Sequence, residues 1–308
     1  MRSKDLSGME SVLVTGATGF IGSRLVQKLI EKNYKVTTLV RPGKKVSVET
    51  DEIKGDLTDS NLEFGERSFD VVFHLASHTP LEKNTKILQK VNLEGTKNLF
   101  NAVKDKTKSI IYISGLGVYG SPETTINESH PYDPDTSFVK IRLEAQRFLE
   151  KQCKENKIDF AVVHFGDVYG SKGWFYEMLV KRLQNKSFRI PGGGKYFKGF
   201  VNVDDAVGST IAVYEHKGFG ESYIVADSLP VTFKEFVDFT ADQIDAKHPG
   251  NVPNFIAKAV LGADLIKLLT TSMKASNEKI SKIYKFKYPS FKEGIPAVIE
   301  ELKSKNLL

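Results

Sequence analysis

The chain has 308 residues, 40% of them hydrophobic and 27% charged, enough for one large or two modest domains and without the bias of a disordered, collagenous or repeat protein. A lone cysteine, Cys153, excludes a disulfide framework or thiolate metal centre within one chain and fits a reducing cytoplasm. The net charge of +6 is read as lysines spread along the whole length over a solvated surface, with no aromatic-basic pattern that would stack nucleic acid.

Residues 1–10 carry both charge signs, and the first apolar run, 12–14, is too short for a secretory leader. No run reaches the roughly 18–20 apolar residues that span a bilayer, so no membrane partner is expected. From residue 11 the pattern is strand (11–15), glycine turn (16–22), helix (23–32) and strand (35–40), a βαβ unit. It continues as strand 70–75, helix 85–105, strand 109–114, helix 139–157 and strand 160–165. Near-continuous apolar strands alternating with helices predict an α/β fold, a doubly wound parallel sheet of Rossmann type.

Residues 166–199 predict loops with one helix at 175–185; strand 200–203, helix 204–215 and strand 223–225 then return to the first domain. Residues 232–308 are mostly helical. The expected division is a dinucleotide-binding domain of 9–165 plus 200–226, and a smaller, mostly helical C-terminal substrate domain of 166–199 plus 227–308. A ligand cleft is expected over the C-terminal ends of the strands.

The turn Gly16-Ala17-Thr18-Gly19-Phe20-Ile21-Gly22 has glycines at its first, fourth and seventh positions, after a strand and before a helix. That spacing permits a tight turn, lets backbone N–H groups approach a pyrophosphate and packs helix closely on strand. The second strand ends in Leu39-Val40-Arg41 rather than in the carboxylate that would hold an NAD ribose. Arg41, with Lys44 and Lys45, offers cations for a 2′-phosphate, so NADP(H) is the preferred cofactor and NAD(H) the alternative.

Taken with this turn, several further segments make the chain resemble the extended short-chain dehydrogenase/reductase family of NAD(P)-dependent epimerases, dehydratases and reductases. They are Gly55-Asp56-Leu57, Phe73-His74-Leu75-Ala76-Ser77, Val91-Asn92-Leu93-Glu94-Gly95-Thr96, Val118-Tyr119-Gly120, Asp167-Val168-Tyr169-Gly170 and Phe200-Val201-Asn202-Val203-Asp204-Asp205. The resemblance implies a cofactor site drawn from Gly16, Thr18, Gly19, Phe20, Ile21, Gly22, Arg41, Lys44, Asp56, Leu57, Leu75, Ala76, Ser77, Asn92 and Lys140. It also implies a nucleotide-sugar or other polar small-molecule substrate, and a homodimer through helices 85–105 and 139–157.

The family places a tyrosine four residues before a lysine whose charge lowers the phenol pKa. Lys140 matches that lysine, but Thr136 stands at the tyrosine position and Gly115 at that of the family's serine, with Ser114 one residue earlier. A threonine hydroxyl cannot reach the acidity of a positioned phenol. Lys140, Thr136 and Ser114 are the candidate catalytic residues; Tyr119, Tyr132, Tyr169, His78 and His164 are the other ionisable groups near these segments. Lys195, after Gly192-Gly193-Gly194, could meet a phosphate. No metal-ligand spacing occurs. Two functions follow: an atypical enzyme with another proton donor, or a catalytically inactive dinucleotide-binding protein serving as redox sensor or assembly module.

Overall fold

Runs of valine, isoleucine and leucine build the strands of this protein, and amphipathic stretches between them build the helices. The computed structural model describes residues 9–308; residues 1–8, on which the expected lack of a leader partly rests, lie outside it. In chain order come β1 (Ser11–Thr15), α1 (Phe20–Glu31), β2 (Lys35–Val40), β3 (Asp51–Lys54), β4 (Val71–His74), α2 (Thr85–Leu88), α3 (Gly95–Val103), β5 (Ser109–Gly115), α4 (Ser137–Asn156) and β6 (Asp159–Phe165). Then follow β7 (Asp167–Tyr169), α5 (Lys181–Gln184), β8 (Ile190–Pro191), β9 (Phe197–Lys198), β10 (Phe200–Asn202), α6 (Val203–Glu215) and β11 (Ser222–Val225). The chain ends with β12 (Val231–Thr232), α7 (Phe233–Gln243), β13 (Asn251–Val252), α8 (Asn254–Leu261), α9 (Ala263–Thr270) and α10 (Phe291–Ser304).

Seven strands form one sheet in the order β11-β6-β5-β4-β1-β2-β3. The pairings of β1 with β2 and β4, of β2 with β3 and of β4 with β5 are all parallel. The chain moves outward from β1 to β3 and then returns to β4 on the other side of β1. That reversal is the topological switch point at which such sheets bind ligands. Val12, Leu13 and Val14 at the centre are 0% exposed, so β1 is covered on both faces.

Edge strand β3 was not visible in the sequence: its residues Asp-Glu-Ile-Lys are polar and partly exposed, and pairing with β2 rather than apolar pattern defines it. Helix α4 starts at Ser137, two residues before the expected start, and α2 joins α3 through a π-helical turn, Gln89–Glu94. The stretch expected to be mostly loop contains β7, which pairs in parallel with β10. Among the described residues no helix is long and apolar enough to cross a membrane, and no group of His, Cys, Asp or Glu could hold a metal ion.

Packing divides the chain into two compact units. The first holds the residues up to Ser114 with Ile141–Val163 and Thr210–Ser222; the second holds Gly115–Lys140, His164–Ser209 and Tyr223–Leu308. This division cuts through β5, α4 and β6, whereas the division expected from sequence keeps whole elements together by ligand. The second unit has an aromatic core in which Phe200 and Phe236 stack at 3.7 Å, joined by Tyr169, Phe175 and Phe291. Buried Asp205 ties the segment after α9 to α6: its carboxylate accepts hydrogen bonds from the Tyr284 hydroxyl and the Lys287 and Tyr288 amides.

Candidate functional site

The glycine turn lies in the first unit, between β1 and α1. Gly16 has φ +75°, and a Cβ there would stand 2.8 Å from the Ala76 nitrogen; at Gly22 it would stand 2.1 Å from the Gly16 carbonyl oxygen. Neither position accepts a side chain. The Gly19 amide donates to the Gly16 carbonyl at 2.9 Å, closing the turn. Gly19 caps α1 without any side-chain acceptor, and no acidic residue occupies the first turn. The opening N–H groups of α1 are therefore available to an anion, with Thr18 and Gly19 exposed and Phe20 and Ile21 half-buried beside them.

A chain of hydrogen bonds fixes the neighbouring segment after β4. The Ala76 amide donates to Thr15 Oγ1 (3.2 Å), Thr15 Oγ1 meets His74 Nδ1 (2.7 Å), His74 Nε2 meets Thr96 Oγ1 (2.9 Å), and Thr96 donates to the Asn92 carbonyl (2.8 Å). Because the two ends are set, the direction of the whole chain is set: Thr15 donates to Nδ1, and His74 carries its proton on Nε2. Burial, with a smaller contribution from the Arg142 charge, pushes His74 down to about 3 and keeps it neutral. Asn92 is fully buried; its Oδ1 accepts from the His78 amide at 2.7 Å and its Nδ2 donates to the His78 carbonyl at 3.2 Å. The Asn92 side chain thus holds His78, which directly follows the Leu75-Ala76-Ser77 segment.

At the end of β2, Arg41 and Lys44 are exposed. Asp56 accepts from the amide and hydroxyl of Thr58, both at 2.8 Å. The Thr58 amide, and more weakly the Arg41 charge, hold the Asp56 carboxyl below its ordinary range. The Leu57 carbonyl is held by Asn98 Nδ2 at 2.8 Å, and Gly95 lets α3 approach Leu57. These contacts present Asp56 and Leu57 as a rigid corner next to the basic end of β2.

The catalytic candidates fare differently. Thr136, in the second unit, is 2% exposed, and its hydroxyl accepts from the Val139 amide at 3.4 Å, the geometry of a helix N-cap. Lys140 is exposed on the first turn of α4, and its amide donates to the Thr136 carbonyl. Gly115 is open: a Cβ would meet only the Phe165 carbonyl, at 3.7 Å. Ser114, in the first unit, is 6% exposed, and its hydroxyl is buried without a hydrogen-bond partner among the described residues.

Two arrangements were not foreseen. In the second unit Tyr119, Tyr132 and His164 form a three-ring cluster with centroid separations of 5.2, 5.3 and 5.6 Å; the Tyr119 hydroxyl stands 3.5 Å from His164 Nδ1. Tyr119 and His164 are buried, whereas Tyr132 is half-exposed. In the first unit Arg142, 7% exposed, lies over the Tyr112 ring at 4.6 Å and donates to the Ile113 carbonyl. Only the ring types of the cluster were legible, because its members come from three separate segments. The Gly192–Gly194 turn before Lys195 is packed against the Asn254 side chain at the start of α8.

The sequence profile of the NAD dependent epimerase/dehydratase family matches residues 12–226. A UDP-N-acetyl-alpha-D-glucosaminuronate decarboxylase of Bacillus cytotoxicus is 28% identical over 234 residues, 68% of this chain and 72% of that protein. Among solved structures, UDP-glucose 4-epimerase of Thermotoga maritima with UDP-glucose superposes with a TM-score of 0.83 at 21% identity, covering 96% of this chain and 99% of the other. A human epimerase family protein with NADPH gives a TM-score of 0.80 at 19% identity, covering 95% and 100%.

Proposed function

The chain belongs to the NAD dependent epimerase/dehydratase family, and from that membership we propose that it is an enzyme acting on a polar carbonyl or hydroxyl substrate, a nucleotide sugar first among them, with NADP(H) preferred over NAD(H). The observation that carries the reading is the glycine turn, closed to any side chain at Gly16 and Gly22 and followed by the uncapped first turn of α1. Relatives that handle UDP-linked sugars support the choice of substrate, and structural neighbours that hold NAD or NADPH support a nicotinamide dinucleotide. When bound, the nicotinamide would supply or accept hydride; this chain must hold it and move the accompanying proton.

For the proton, Thr136 is unsuited because its hydroxyl is buried and spent on the cap. We assign the step to Tyr132, the half-exposed phenol of the ring cluster, with His164 and Tyr119 behind it. Reduction of a carbonyl would take the proton from the Tyr132 hydroxyl to the substrate oxygen, and oxidation of an alcohol would return it. Lys140 would hydrogen-bond the nicotinamide ribose. A homodimer through α3 and α4 fits the family as well; sedimentation velocity tests it.

Titration with NADP(H) and NAD(H), followed by thermal shift, tests binding: at a hundred times Kd a native-state ligand adds about 2.7 kcal/mol. Substrate turnover with the bound form, across UDP- and dTDP-sugars, tests the enzyme. Cofactor binding without turnover of any of them would favour the second reading, an inactive dinucleotide-binding module, to which the capped Thr136 and the glycine at position 115 also point. Failure to bind either dinucleotide overturns both readings.

A further inference from the structure

In the first unit two buried polar groups have no hydrogen-bond partner among the described residues, Arg142 Nη1 and the Ser114 hydroxyl; the two residues are 7% and 6% exposed. They are neighbours. β5 continues to Gly115 past its last rung with β4, where Tyr112 lies beside His74. Side chains alternate along a strand, so Tyr112 and Ser114 share one face. Arg142 covers that face: its guanidinium lies over the Tyr112 ring at 4.6 Å, and Nη2 donates to the Ile113 carbonyl. Covalent geometry keeps Ser114 Oγ within about 5 Å of that carbonyl oxygen, and Nη1 is the second arm of the same guanidinium. The two unpartnered groups thus flank one carbonyl beneath α4.

Arg142 also lacks a counter-charge. No carboxylate among the described residues pairs with it, and its neighbours are the Tyr112 ring, the Ile113 carbonyl and neutral His74. Buried charges are ordinarily paired, because the cost of leaving water is not otherwise offset. An acid escapes by taking a proton, as the raised pKa of buried Asp227 illustrates. A guanidinium, with a pKa above about 12, stays charged. A bridging water would satisfy Nη1 and leave the charge. A small anion does both: it offsets the guanidinium and accepts from Nη1 and Ser114 Oγ. The close enclosure selects a monatomic, singly charged ion, since phosphate or sulfate would bring a second charge out of water.

We infer that Arg142 Nη1 and the Ser114 hydroxyl hold one halide ion, chloride under ordinary conditions, against the C-terminal end of β5. The site is separate from the glycine turn and independent of the proposed chemistry. Its effect is on stability: the ion completes an electrostatic pair that the folded chain alone lacks, and only the folded chain assembles the site.

The full-length protein is melted in sodium chloride and in sodium gluconate at equal ionic strength, gluconate being too large for an enclosed site. Tm should be higher in chloride and rise by about 2–3 °C per tenfold concentration once chloride exceeds its Kd, with no such rise in gluconate. Arg142→Met, which keeps the bulk of the side chain without its charge, should lose the dependence on chloride. Ser114→Ala should move the chloride midpoint several-fold higher. Crystals grown with bromide should show an anomalous peak within bonding distance of Arg142 Nη1 and Ser114 Oγ. Equal melting in the two salts, chloride dependence that survives in Arg142→Met, or bromide peaks only elsewhere on the chain overturns the inference and leaves an adventitious ion only. Should Arg142→Met not fold, Ser114→Ala and the bromide peak decide: an unshifted midpoint, or no peak at this site, overturns it.

Discussion

The hydroxyl of Thr136 accepts a hydrogen bond from the Val139 amide at 3.4 Å, so the residue at the family's tyrosine position is the N-cap of α4. Its side chain is enclosed, and the adjoining residues are held by α9: Asp264 accepts from the Ser137 amide and Lys267 pairs with Asp135. Thr136→Ala should therefore cost about 1 kcal/mol of stability through the lost cap, while kcat changes less than about twofold; Thr136→Ser should recover the stability. Thermal melts and saturating-substrate kinetics check the pair. A loss of kcat in both variants without a loss of stability would return a catalytic role to Thr136.

Tyr132→Phe gives the converse result. It keeps the ring in contact with Tyr119 and His164 and removes only the hydroxyl, so folding and cofactor binding should stay intact while kcat falls by roughly 10²–10⁴. An unchanged kcat would remove Tyr132 from the proton path.

Much of this was legible in the sequence, because the βαβ alternation and the glycine turn are local patterns: a strand, three glycines at fixed spacing and a helix lie within residues 11–31. The cap at Thr136 was not legible. A threonine before a helix is a capping signal, but at the family's tyrosine position it reads first as an absent phenol, and the apolar pattern begins two residues after the helix does. The ring cluster was hidden because it joins residues 119, 132 and 164 through tertiary packing.

Gly115→Ser should be tolerated, because a Cβ there meets nothing nearer than the Phe165 carbonyl at 3.7 Å. Stability is expected to change by less than about 0.5 kcal/mol. If substrate oxygen lies where the family's serine would reach it, the added hydroxyl should raise kcat/KM. Kinetics of the purified variant decide; a well-folded protein with unaltered kcat/KM would place the substrate oxygen elsewhere.

The proposed preference for NADP(H) rests on Arg41, which is exposed at the end of β2 and close enough to lower the Asp56 pKa. Arg41→Ala should weaken NADP(H) about tenfold while leaving NAD(H) nearly unchanged. Fluorescence titration of the reduced forms measures both constants. Equal losses for the two dinucleotides would show that Arg41 does not discriminate between them.

Asp227 and His74 make opposite contributions to stability as pH changes. Burial, followed by the charges of Asp205 and Glu293, raises the Asp227 carboxyl well above its ordinary range. Its folded form thus prefers the proton: the stability it contributes is complete below the unfolded pKa of about 4 and is lost as pH rises through the folded value. Asp227→Asn should melt higher than wild type at neutral and alkaline pH, with the difference vanishing towards about pH 4. His74 is pushed down to about 3, so its contribution is complete above the unfolded pKa of about 6.5 and is lost progressively as pH falls from there towards the folded value. Wild-type stability should consequently fall on acidification below about pH 6.5. His74→Gln should lessen that slope even though the loss of the bonds to Thr15 and Thr96 destabilises it at neutral pH. Melts of the three proteins across the pH range separate the two groups. An Asp227→Asn variant less stable than wild type at alkaline pH would mean that the ionised carboxylate is compensated in the folded protein.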